Sequence, residues 1–64
     1  MPITDVTVKL MGEDGNAFAI MGAVTRAMRR KGVEDEVINQ YRNEATSGGY
    51  DHLLSTTVKY VTVV

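Results

Sequence analysis

The chain has 64 residues, a net charge of −1, 44% apolar residues, one histidine and no cysteine. That balance describes one small globular domain over residues 1–64; it excludes a disordered tail, a disulfide framework, a cysteine-built zinc site and a global field that seeks polyanions. A chain this short buries only about 60% of the surface its unfolded form exposes, so a margin of about 3–5 kcal/mol leaves little to hold a strained catalytic site and makes oligomerisation an attractive source of core.

Residues 3–11 (ITDVTVKLM) alternate, with Val6, Val8 and Leu10 to one side and Asp5, Thr7 and Lys9 to the other. Period two with β-branched residues predicts a half-buried strand. The turn cluster 12–16 (GEDGN) ends it. Its place between strand and helix suits an anion. Its spacing, however, matches no phosphate-binding glycine pattern or calcium loop, and Glu13 and Asp14 would repel a phosphate. It reads as turn plus cap.

Residues 16–31 predict an amphipathic helix with Ala17, Ile20, Met21, Val24, Ala27 and Met28 on one face. Asp14 or Asn16 caps its start, and Gly32 supplies a left-handed stop that lets Val33 touch Met28. A second helix is predicted over 34–47, with Val37, Ile38, Tyr41 and Ala45 inward. Glu34, Asp35 and Glu36 sit at its positive end, and Gly48-Gly49 follow it. Residues 50–58 (YDHLLSTTV) are ambiguous. Tyr50, Leu53, Leu54, Thr57 and Val58 fit a short helix, while Thr56, Thr57 and Val58 also suit a strand. Residues 59–64 (KYVTVV) read as a final strand.

The expected fold class is therefore α+β: two terminal β-strands flanking two or three helices, β-α-α-(α)-β, with a small single-layer sheet packed on helices. The direction of strand pairing stays open. The expected core joins Ile20, Met21, Val24, Met28, Ile38 and Tyr41 to Val6, Val8, Leu10 and Val61. Two strands leave two open edges, and an open edge invites another strand. A homodimer through a sheet edge follows as an expectation.

Arg26, Arg29, Arg30 and Lys31 form a basic cluster that suits nucleic acid or an acidic partner. Cations also belong at a helix C-terminus for reasons of dipole alone, and three acidic residues follow at once. A helix-turn-helix reading would press Glu34, Asp35 and Glu36 against DNA, which is electrostatically wrong. Ala19, Ala23, Arg26 and Arg30 form a stripe opposite the core face, with Gly22 beside it. Small residues four apart admit a partner's backbone, and the arginines can pair with carboxylates. This stripe is the candidate interaction surface.

His52 follows Asp51, but no nucleophile and third group complete a triad, so a surface or capping role is expected. Tyr50 reads as a lock on the Gly48-Gly49 turn. No catalytic, cofactor or metal site is expected. Neither a signal sequence nor a membrane span is apparent, which points to the cytoplasm.

The run GEDGNAFAIMGAVTRAMRRKGV, with SGGYDHLL further on, resembles a group of small bacterial, phage and plasmid proteins with no known activity. The likeness spans Val6 to Val61, and DGNAF and YDHLL are its most specific parts. It implies a bacterial or mobile-element origin and carries over no functional residue. The functional expectation is a non-enzymatic protein-interaction module acting as a homodimer. The alternative is a nucleic-acid-associated protein using the Arg26, Arg29, Arg30 and Lys31 cluster.

Overall fold

The computed structural model of the chain describes residues 2–10 and 15–64. Strand β1 (Thr7–Val8) is followed by helices α1 (Ala17–Arg30), α2 (Asp35–Ala45) and α3 (Tyr50–Tyr60), and then by strand β2 (Thr62–Val63). The fold is α+β in the expected order, and the ambiguous stretch is a full third helix. The strands pair in parallel, Thr7 opposite Thr62 and Val8 opposite Val63. Parallel strands need a long crossover, and the three helices provide it.

Both strands are shorter than their apolar patterns predict. Residues 3–11 do not form one strand, because the segment before β1 serves another element. The Ile3 and Thr4 amides donate to the carbonyls of Lys59 and Tyr60 at 3.0 and 2.9 Å, and Thr4 Oγ1 donates to Tyr60 O at 2.6 Å. These bonds satisfy carbonyls that α3 leaves open at its last turn. Met11, which ends the expected strand, and Gly12, Glu13 and Asp14 of the expected turn lie outside the described residues.

Asn16 caps α1: its Oδ1 accepts from the Phe18 amide at 2.8 Å. The other proposed cap, Asp14, is not among the described residues. At the far end, Gly32 adopts φ +82°. Val33 N donates to Met28 O at 2.9 Å and Gly32 N to Arg29 O at 3.0 Å, the double bond pattern of a Schellman turn. Nothing lies within 4 Å of where a Gly32 Cβ would stand, so the requirement for glycine is purely backbone.

Helix α3 corrects two expectations. It runs through Lys59 and Tyr60, which the β-branched pattern places in the last strand. It also buries Leu53, Thr56, Thr57 and Tyr60, whereas Tyr50, Leu54 and Val58 are exposed. The spacing 53, 56, 57, 60 is a helical stripe whose centre is two threonines, so the expected face is right at Leu53 and Thr57 and displaced at Tyr50, Leu54 and Val58. Thr57 is tolerated inside because its hydroxyl is bonded. Thr57 Oγ1 donates to Leu53 O at 2.9 Å and sits 2.8 Å from Tyr41 Oη.

One core holds Val6, Val8, Ile20, Val24, Met28, Ile38, Tyr41 and Val61, as expected, together with Ala23, Ala45, Leu53 and Tyr60. Met21 and Leu10 pack against it while half-buried. Tyr41 and Tyr60 meet edge to face, with centroids 5.4 Å apart. Within the described residues, no buried side-chain nitrogen or oxygen lacks a hydrogen-bond partner.

Candidate functional site

The open edge of β1 and the flank of α1 enclose a groove of about 320 Å³, lined by Thr7, Val8, Lys9, Ala23, Arg26, Ala27 and Arg30. Its floor follows from strand geometry. Thr62 N donates to Val6 O and Val64 N to Val8 O, both at 2.9 Å, so the Val6 and Val8 carbonyls face β2. Successive peptide groups of a strand point to opposite sides. The Thr7 N–H and C=O and the Lys9 N–H therefore face away from β2, and both residues line the groove.

Its wall comes from helix spacing. Ala23, Ala27 and Arg30, with Arg26, fall at intervals of three and four, on one side of α1. The Arg26 guanidinium lies back along the helix over Gly22, 3.9 Å from where a Cβ of that glycine would stand. Helical side chains lean toward the N-terminus, which carries this one over the glycine.

Three of the four residues of the predicted stripe, Ala23, Arg26 and Arg30, therefore line one groove. The fourth, Ala19, is half-buried and lies off it. Ala23 also corrects the expectation of a stripe opposite the core: it is 8% exposed and belongs to the core cluster. α1 is buried on two sides, by the other helices and by β1, and an alanine is what lets the strand come close. A single-face reading of the helix misses the second contact. The basic cluster is divided as well, since Arg29 and Lys31 are exposed but do not line the groove.

The histidine has a structural task. His52 Nε2 lies 2.9 Å from the Glu44 carbonyl and 3.1 Å from Ser47 Oγ, which itself donates to that carbonyl at 2.7 Å. A carbonyl only accepts, so the nitrogen facing it carries hydrogen and is not a base toward Ser47 in this arrangement. Gly48 makes room for the ring, because a Cβ there would stand 2.8 Å from His52 Cβ and Cγ. Tyr50 Oη donates to Gly15 O at 2.7 Å, tying the start of α3 to the entry of α1.

Glu44 anchors a polar cluster between α2 and α3. It accepts from Lys59 Nζ at 2.7 Å and from Tyr60 Oη at 3.1 Å. The Lys59 hydrogen bond, chiefly, holds the Glu44 carboxyl below its ordinary pKa, and the same bond raises Lys59. Burial, then the Glu44 bond, raises the Tyr60 phenol; burial raises Tyr41 against its bond to Thr57.

One surface feature escaped the sequence reading. Phe18 is 80% exposed, beside an apolar hollow of about 240 Å³ whose lining includes Ala17, Met21, Tyr50 and Leu53. The available signal was its position, off the helix's apolar face. Among the described residues, no group of three or more histidine or acidic side chains is placed to hold a metal ion, and no helix is long and apolar enough to cross a membrane. Comparison with family models, curated proteins and solved structures finds no match to this chain.

Proposed function

We propose that this chain is a small, non-enzymatic protein-interaction module whose contact surface is the groove between α1 and the open edge of β1. One observation carries the reading: an unpaired strand edge lies beside Arg26 and Arg30, and neither arginine has a carboxylate within ion-pair distance among the described residues. A bacterial or mobile-element origin and a cytoplasmic location accord with the resemblance and the composition. The nucleic-acid alternative is weakened by the division of the basic cluster and by Glu34, Asp35 and Glu36 just beyond it.

The test is site-specific photo-crosslinking in expressing cells. A crosslinker at Thr7 in the groove should give a discrete protein adduct, and one at exposed Gln40 on α2 should not. Equal adducts from both positions, or none from Thr7, would sink the reading.

Homodimerisation belongs to the other edge. Two grooves face to face would set Lys9, Arg26 and Arg30 against their own copies, and like charges across a strand pair are unfavourable. β2 instead exposes Val63, and Val64 just beyond it is exposed as well. Sedimentation should show a dimer that Val64→Lys converts to monomer, because a lysine on an edge blocks pairing. A monomeric parent chain would remove this part of the proposal.

A further inference from the structure

We infer that the groove takes an extended, acidic segment of another protein as a third strand on β1, an inference that deepens the proposed interaction module and rests on it. Three observations converge. The Thr7 N–H and C=O and the Lys9 N–H turn away from β2 at a groove both residues line, and they alternate donor and acceptor as a peptide strand does. Lys9, Arg26 and Arg30 place three cations around it, and no carboxylate is among its lining residues within the described part of the chain. Ala23 and Ala27 keep the wall low enough for a backbone to lie beside the edge.

Each observation selects against a competing occupant. A second copy of this chain entering by its own β1 edge brings the same three cations to meet these. A phosphate backbone satisfies arginines but offers no N–H to the carbonyls of the edge. A peptide strand offers both donors and acceptors, and carboxylates on alternate residues reach the arginines. Main-chain bonds then give affinity, and the charged side chains give selection.

The probe is a labelled, end-blocked peptide of alternating Glu and Val, about eight residues long, read by fluorescence anisotropy with the intact chain. Saturable binding is expected, with none for the Lys/Val counterpart. The double variant Arg26→Glu and Arg30→Glu should lose about tenfold or more in affinity. Both positions are exposed, and circular dichroism checks that the variant folds.

The decisive series leaves the protein untouched. N-methylating the peptide one residue at a time should abolish binding at every second position and spare the others, because only alternate amides face β1. Slowed amide exchange at Thr7 and Lys9 on adding peptide should accompany it. Binding that depends on charge but not on methylation phase would overturn strand addition. So would tighter binding of a single-stranded oligonucleotide than of the peptide, or exchange protection of Thr7 that rises with protein concentration alone. If no peptide binds while Thr7 still crosslinks a protein in cells, the acidic strand is wrong and the interaction module stands. If the peptide binds but Thr7 captures no protein, the module reading fails instead.

Discussion

The α2–α3 side of the molecule and its α1–β1 side treat their polar groups in opposite ways. Between α2 and α3, Tyr41 bonds Thr57, Glu44 bonds Lys59 and Tyr60, and His52 bonds the end of α2. Along the outer flank of α1, Arg26 and Arg30 have no such partner among the described residues, and the β1 edge beside them is open. Polar groups used internally contribute to folding; an open edge beside unpaired charge is available to a partner. The contrast supports the proposed contact surface at the groove more directly than any motif does.

The largest effect tests the limit of that contrast, since the inner face of α1 is core. Val24 is fully buried, and Val24→Asp places an unpaired charge there at a cost of several kcal/mol, comparable to the whole margin. Circular dichroism should show an unfolded chain. A soluble variant with unchanged melting would mean that α1 does not face the core as described.

Next comes the turn that orients α1 against α2. Gly32→Ala should cost about 1–2 kcal/mol from the left-handed backbone alone, which lowers the melting temperature by roughly 4–16 °C. Gly32→Val should melt lowest and Gly32→Asn highest of the three. Because the site is open to solvent, a clash would not produce this ranking. Its absence would argue against the observed cap.

Tyr41→Phe probes the internally bonded side. The Thr57 hydroxyl hydrogen goes to Leu53 O, so the Tyr41 phenol is the donor to Thr57. Losing it should cost about 1 kcal/mol, since Thr57 Oγ1 loses its donor but still donates to Leu53 O. Denaturant titration should move the midpoint and leave the slope unchanged.

Glu44→Gln should destabilise in a pH-dependent way. The Glu44 carboxyl is held low in the fold, so its contribution is present above the ordinary carboxylate range. It is lost as pH falls through the folded pKa. The melting difference between parent and variant should thus be largest near neutrality and close below about pH 4. A difference that persists in acid would assign the effect to packing.

The smallest expected effect completes the contrast. Replacing both Arg26 and Arg30 by alanine should change stability by no more than about 0.5 kcal/mol per site, while abolishing adducts from a crosslinker at Thr7. A large loss of melting temperature would show that these side chains serve the fold, and the two sides of the molecule would no longer differ.

Features governed by a few neighbouring residues were legible in the chain. The Asn16 cap, the Gly32 stop, the acidic start of α2 and the inward faces of β1 and α2 all rest on interactions within about one turn or one pleat. The order of elements and the arginines of the groove came from the same local rules. What tertiary structure decided involves groups far apart in sequence. Thr57 faces inward because Tyr41 and Leu53 satisfy it within a core that Tyr60 completes. α3 continues through Tyr60 because Ile3 and Thr4 close its last carbonyls. Ala23 is buried because β1 returns against α1. The parallel pairing depended on whether residues 50–60 formed a helix, since an odd number of reversing helices returns the chain in its first direction. Composition and period describe which face of an element is apolar; only the packed fold determines which other element meets it, because that contact energy is shared between residues the local pattern never brings together.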